Sequence, residues 1–370
     1  MNSEVNYIPL FTPNVPQSAI EAVSRTLNSR WIGQGPQVDE FEELLSKTFC
    51  GGDPGIAVGS GTDALHLAYL LAGIGPGDEV IVPIFTCTAT NIPLLYIGAK
   101  LIFVDVDPVT MNIDFDHLSG LISDKTKAIA VVDFGGCPVD YVKLYALIGE
   151  RNIKVIQDAA HSIGGSYGGV SVGSIADFTI FSFQAIKHIT TGDGGYLSFK
   201  DRDLLPMARR LRWFGIDRVS KSKGHWDNDI KEIGYKYQMT DISAAMGIAG
   251  LNEFPQTLEL RKTLFRQYLS QLSSSNKVTV IADSNNYDGH AAWVFSIHVE
   301  KREKLQQKLI EQGIESSQVH YRNDRYSIFG SKIPNLKNMD KVEETYLVLP
   351  LHTKMAISDV DRICDVILND

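Results

Sequence analysis

From residue 78 onward, short runs rich in valine, isoleucine and phenylalanine return along the chain: DEVIVPIF at 78–85, KLIFVDVD at 100–107, KAIAVVDF at 127–134 and IKVIQDAA at 153–160. They are apolar throughout rather than at alternate positions, which predicts strands buried on both faces. The segments between them are long enough for crossover helices. In PVDYVKLYALIGERN (138–152) apolar residues recur every three or four positions, the helical period. Alternation of this kind limits the chain to the α/β class, with a largely parallel sheet covered on both faces.

Between 160 and 200 the rhythm changes. ADFTIFSF and GGYLSF are predicted as strands, but the links GGSYGGVSVGS and QAIKHITTGD are too short or too glycine-rich for full helices, so part of the sheet is expected to be mixed. A different pattern follows after about residue 250: HAAWVFSIHV as a strand, REKLQQKLIEQG as a helix closed by Gly313, and SDVDRICDVILND as a last helix. With 370 residues to bury, the expectation is a large domain over 1–250 and a smaller α+β domain over 251–370. There is no internal repeat or low-complexity tract.

A formal charge of -9 argues against a general nucleic-acid binder, so a phosphate-bearing ligand must meet locally placed donors. Cys50, Cys87, Cys137 and Cys364 lie far apart, form no close pair of the kind zinc or redox motifs use, and read as free thiols. No metal site is expected. Nor does the chain hold a basic, apolar leader or the roughly eighteen consecutive apolar residues of a spanning helix. These features predict a cytoplasmic protein.

In open α/β sheets ligands sit beyond the carboxyl ends of the strands. The run at 153–158 ends in Asp158, followed by His161. The run at 177–183 leads through Ser182 to Lys187, within FSFQAIKHITTGDGG. A lysine among small and apolar neighbours suits imine chemistry with an aldehyde, because desolvation lowers its pKa and frees the amine. Most loop lysines are merely solvated charges; the tight turn of Thr190, Thr191, Gly192, Asp193, Gly194 and Gly195 just after this one favours the chemical reading. Asp158 reads either as a cap for the next segment or as a carboxylate facing a pyridinium nitrogen. Before the apolar run of GSGTDALHLAYLLAGIG (59–75), Gly61, Thr62 and Asp63 read either as a simple N-cap or as a phosphate seat at a helix N-terminus.

Six segments in order, RWIGQGPQVDEFE, GSGTDALHLA, GPGDEVIVP, IQDAAHSIGG, FSFQAIKHITTGDGG and GYKYQMTDISAAMG, give the chain a resemblance to the DegT/DnrJ/EryC1/StrS family of sugar aminotransferases, which are fold-type I pyridoxal-phosphate enzymes. The resemblance covers nearly the whole chain. It implies that Lys187 is the Schiff-base lysine, that Asp158 faces the ring nitrogen of pyridoxal 5'-phosphate, and that His161 lies near the ring. It further implies that Ser182, Gly61, Thr62 and Asp63 hold the cofactor phosphate.

Two departures stand out. Cys87, in PIFTCTAT, occupies the place of an aromatic residue that covers the ring in relatives, and Lys236 stands where many relatives put an asparagine that reaches the partner subunit's phosphate site. A homodimer with shared active sites is therefore implied. So is transfer of an amino group from an amino acid, by resemblance L-glutamate, to a nucleotide-linked keto sugar, in amino-sugar biosynthesis for polysaccharides of the O-antigen or lipopolysaccharide type. Tyr7, Trp31, Gln34, Trp213, Arg218, His320, Tyr321 and Arg322 are candidates for the substrate pocket. The competing readings are a related sugar dehydratase, which carries histidine at the lysine position, and a non-catalytic regulatory protein on the same fold.

Overall fold

The computed structural model describes residues 7–218, 220, 224 and 229–369. The chain runs through β1 (Gly55–Val58), β2 (Glu79–Pro83), β3 (Phe85–Thr86), β4 (Lys100–Val104), β5 (Thr126–Val132), β6 (Lys154–Asp158), the hairpin of β7 (Ser166–Tyr167) and β8 (Val170–Ser171), β9 (Phe178–Ser182) and β10 (Gly195–Phe199). Seven of these form one sheet, in the order β1-β10-β9-β6-β5-β2-β4. The pairs from β9 to β4 are parallel, while β10 is antiparallel to both β9 and β1. This is the mixed sheet expected from the short link after β9.

Alternate residues of β5 explain why the sequence runs are apolar throughout. Ala128 and Ala130 join the core on one face of the sheet, and Ile129 and Val131 join the core on the other. The helix predicted within 138–152 spans Tyr141–Ile148; Asp140 caps it by accepting from the Lys143 amide at 3.0 Å, and Gly149 ends it with φ 60°. The run at 78–85 is two strands rather than one. Pro83 has no N–H to extend the ladder, and the chain turns so that β3 pairs with β13 (Tyr321–Arg322) instead.

The later part of the chain builds a second sheet from β11 (Thr279–Val280), β12 (Phe295–His298) and β14 (Tyr346–Leu349), packed on the helices Arg302–Glu311 and Ile357–Leu368. Two expectations change here. The division placed after residue 250 falls inside one continuous helix, Asp241–Leu272: Ala244 and Leu251 pack on the large-sheet side, whereas Leu264, Phe265, Tyr268 and Leu272 belong to the second core. Ile8, near the start of the chain, also belongs to that second core.

In addition, only the last part of HAAWVFSIHV is a strand. Ala291–Trp293 precede it as a buried strap whose Ala292 has φ 52°, a conformation that breaks the ladder. The strap lies against the loop after β5. Ala291 donates to the Gly136 carbonyl at 2.8 Å and Trp293 to the Gly135 carbonyl at 3.0 Å.

That approach requires glycine at 136, where φ is 102° and an added Cβ would come within 2.9 Å of the Ala292 nitrogen and 3.1 Å of the His161 carbonyl oxygen. Both obstacles are backbone and cannot swing away. Gly136→Ala is expected to lower unfolding stability by about 2–4 kcal/mol, the sum of left-handed strain and overpacking. Urea unfolding checks this; a loss below 1 kcal/mol would show that the strap yields freely.

Candidate active site

Asp158 closes β6, and β9 runs beside it in parallel with Ile180 opposite Asp158. The chain leaving β9 at Ser182 therefore turns back beside the same strand end, and the turn carries Lys187. Lys187 is half-buried, and burial pushes its amine down to about 8, against opposing contributions from Cys87 and Asp158; the Arg261 cation adds to the lowering. Asp158 is buried, and burial raises its carboxyl. Thr90, the Ala160 amide and Lys187 act in the other direction, favouring the charged form. The Thr90 hydroxyl donates to it at 2.7 Å and the Ala160 amide at 3.1 Å. Thr86 and Thr90 share a further hydroxyl contact of 2.8 Å.

Across β10 lies a cup. Val58 and Ser182 flank Gly195 in the sheet, and a Cβ on Gly195 would sit 2.3 Å from the Ser60 carbonyl oxygen and 2.7 Å from the Gly61 nitrogen. A Cβ on Gly61 would in turn meet the Ser182 hydroxyl at 3.3 Å. Two glycines thus let the start of the helix Gly61–Leu71 close on the end of β9. The first amides of a helix have no intrahelical acceptor and, together with the Ser182 hydroxyl, suit a phosphate. Ser60 caps this helix by accepting from the Asp63 amide at 3.0 Å; burial raises the Asp63 carboxyl to about 6, and the Ser60 hydrogen bonds oppose that rise. Thr62 is half-buried in the same first turn.

His161 is buried between aromatic partners. Its ring stacks on Trp293 (3.7 Å between centroids, 11° between planes) and on His320 (5.3 Å, 7°), and its Nδ1 accepts from the Gly135 amide at 3.4 Å. Burial holds His161 well below the usual histidine range and His320 down at about 3, so both are neutral; the His320 Nε2 is buried with no partner among the described residues. A bare imidazole nitrogen beside Lys187 is a polar atom awaiting a ligand. Cys87 is exposed at the start of the helix Thr88–Tyr96. Phe85 does not take over the aromatic position near it, because it is buried against Phe134 and Tyr346.

The other pocket candidates divide. Trp31, Gln34, Trp213 and Arg218 are brought together: Arg218 lies 4.0 Å over the Trp213 ring and donates to the Gln34 side chain at 2.8 Å, while Trp31 donates to the Gln34 carbonyl at 3.4 Å. The Trp213 Nε1 is buried without a partner among the described residues. Tyr7 is exposed and donates to Glu315. Tyr321 stacks under Arg325 at 4.4 Å. Arg322 leaves the group of candidates, because its fully buried guanidinium is taken up by Asp324, at 2.6 and 2.8 Å, and by Asp340. Lys236 is exposed, 5.4 Å from the Phe214 ring.

Sequence reasoning missed two contributors, Thr90 and Trp293. The threonine-rich PIFTCTATN was the available signal for the first. The second lay hidden inside a run read as strand.

The sequence model of the DegT/DnrJ/EryC1/StrS aminotransferase family matches residues 13–368. The chain belongs to that family. It is 33% identical to the GDP-perosamine synthase of Caulobacter vibrioides, over 98% of this chain and 97% of that protein, and 32% identical to the spore coat polysaccharide biosynthesis protein SpsC of Bacillus subtilis, over 98% and 96%. Among solved structures, the putative sugar aminotransferase Spr1654 of Streptococcus pneumoniae, solved in a PLP form, superposes with a TM-score of 0.90 at 30% identity, covering 98% of both chains. As a member of this family the chain is a pyridoxal-phosphate-dependent aminotransferase, and its lysine, carboxylate and glycine cup fit that cofactor.

A buried amine with a pKa near 8 dictates a pH profile. Only the neutral amine attacks an aldehyde, so aldehyde capture by the cofactor-free protein should rise about tenfold per pH unit below 8 and level off above it. Stopped-flow absorbance with pyridoxal phosphate reads this directly. A midpoint near the ordinary lysine value of about 10.4 would show that the amine is solvated.

Proposed function

We propose that the enzyme moves an amino group from L-glutamate to the keto carbon of a nucleotide-linked sugar, in two halves at one site. The observation that carries this reading is the desolvated Lys187 amine facing buried Asp158 beside a glycine-lined cup. Relatives named for nucleotide sugars, such as the GDP-perosamine synthase of Caulobacter vibrioides, support the acceptor class.

When bound, pyridoxal phosphate supplies an electron sink for the carbanion at the substrate carbon. Gly61, Thr62, Asp63 and Ser182 would hold its phosphate, His161 would line the ring, and Lys187 would attach it. Asp158, to which Thr90 and the Ala160 amide donate in favour of its charged form, would face the ring nitrogen and favour a proton there. Lys187 Nζ would take the proton from the donor's Cα and, in the second half, return one to the sugar carbon. General acid–base transfer of this kind is worth roughly 10²–10⁴-fold in rate.

The proposal extends to a homodimer in which exposed Lys236 reaches the phosphate held by the partner subunit, adding positive charge to an otherwise acidic protein. Trp31, Gln34, Trp213 and Arg218 offer stacking and hydrogen-bonding surfaces for a nucleotide. The reading includes a cytoplasmic location, which the free cysteines support.

Continued formation of 2-oxoglutarate from glutamate, beyond the one equivalent of the first half, should require a nucleotide-linked keto sugar; equal rates with free keto sugars would refute the acceptor class. Asp158→Asn should keep the cofactor bound yet slow the glutamate half-reaction by roughly ten- to a hundredfold, the value of one charge-assisted hydrogen bond. Single-turnover spectra measure it, and an unchanged rate removes Asp158 from this role. Mixing Lys187→Ala with Lys236→Ala protein should restore activity at limiting cofactor through heterodimers with one intact site. If exchange of subunits is demonstrated and no activity returns, the crossing of Lys236 is wrong.

A further inference from the structure

Trp293 stands at the centre of the site without having been assigned a part in it. The Lys187 amine lies 3.7 Å from the centroid of its ring. The indole is fixed on several sides. It stacks on His161, lies 5.7 Å from the Phe11 ring at 24°, and donates from Nε1 to the carbonyl of Ile186 at 3.2 Å, the residue directly before the lysine. Its backbone is held as firmly, with N–H to Gly135 and carbonyl accepting from Arg261 at 3.1 Å. Trp293 is 1% exposed, so the ring cannot turn away into solvent.

In a two-half transfer the Lys187 amine would be free of the cofactor for part of each cycle. A released ammonium in a buried site needs a place to stay. Asp158 attracts it, but Asp158 is also committed to Thr90 and the Ala160 amide. Arg261, a fully buried cation, repels it, and His161, His188 and His320 are neutral and give it no counter-charge. Cys87 is the remaining titratable group that faces it.

We infer that Trp293 is a positioning residue for Lys187, its indole face being the seat on which the free ammonium rests whenever the amine is not bonded to the cofactor. This rests on the functional reading given above. An aromatic face attracts a cation through its quadrupole, most strongly for tryptophan and where water is excluded. Tethering of the same ring to Ile186 keeps seat and lysine in register.

The sign of the effect separates this role from a merely structural one. Removing the ring while keeping the site apolar withdraws support from the charged form alone, so the pKa of Lys187 falls. Removing a ring that only fills space lets water in, and the pKa rises towards the ordinary lysine value.

The test uses full-length, cofactor-free protein. Competitive labelling with acetic anhydride across pH, followed by peptide mass spectrometry, gives the midpoint for Lys187 in the parent, Trp293→Leu and Trp293→Phe proteins. The Leu variant should titrate about 0.4–1.5 pH units below the parent, and the Phe variant in between. An unchanged or raised midpoint in the Leu variant overturns the inference. If the Leu variant does not fold, the Phe variant decides by the same rule. Borohydride reduction with pyridoxal phosphate is run in parallel. A label on a lysine other than Lys187 would sink the functional reading, while the labelling midpoint would still report on the indole.

Discussion

Two opposite charges hidden at one strand end govern this molecule. Parallel pairing of β6 with β9 puts Asp158 and the Lys187 turn at the same edge of the sheet, away from water. Burial alone would drive each group towards its neutral form, the carboxyl upward and the amine downward. Each limits the shift of the other: Lys187 opposes the rise of the Asp158 carboxyl, and Asp158 opposes the fall of the amine, which comes to about 8. Removing either partner would leave an uncompensated buried charge, which is far more costly than losing an exposed ion pair. Thr90 follows from this constraint, since a carboxylate out of water needs donors and the helix after β3 is where this one is supplied; Thr86, on β3, meets the Thr90 hydroxyl in turn.

The features readable from sequence were those written locally. Apolar runs of strand length, a carboxylate at the end of one and a lysine just past another require no knowledge of distant contacts, and each appears where expected on β6 and after β9. So does the helix that opens at Gly61. What escaped depends on pairings over long separations. Nothing near residue 291 announces that Ala291–Trp293 will lie against Gly135 and Gly136 rather than continue a strand; the cause is the pair of left-handed glycines some 155 residues earlier. Arg322 escaped for the opposite reason. An arginine beside a predicted pocket invites a ligand, but Asp324 two residues on and Asp340 across the fold absorb its donors first.

The strap also shows why an arginine is buried without any carboxylate in its hydrogen bonds. A loop enclosed in protein must place every backbone N–H and carbonyl, because an orphan group costs about as much as a lost hydrogen bond. All six groups of residues 291–293 are placed. The three amides go to the Gly136 carbonyl, His290 Nδ1 and the Gly135 carbonyl; the three carbonyls accept from His188 Nε2 and, for the last two, from Arg261. Arg261 meets all three carbonyls, those of Ala292, Trp293 and Leu351, from its Nη1, at 3.4, 3.1 and 2.9 Å. His290 must stay neutral to accept from Ala292, and burial keeps it so by holding its pKa at about 3.

Solving the loop's hydrogen bonds with a cation has an electrostatic consequence for the chemistry. Arg261 cannot lose its proton at any ordinary pH, so it acts on Lys187 as a fixed positive charge in a medium where charges are poorly screened. That push lowers the amine's pKa, in the direction nucleophilic attack requires, while Asp158 pulls the other way. The strap thus joins two demands that otherwise have no link. The donor set that lets the strap contribute a buried aromatic wall is the same group that helps keep the lysine partly unprotonated, and neither can be changed without the other.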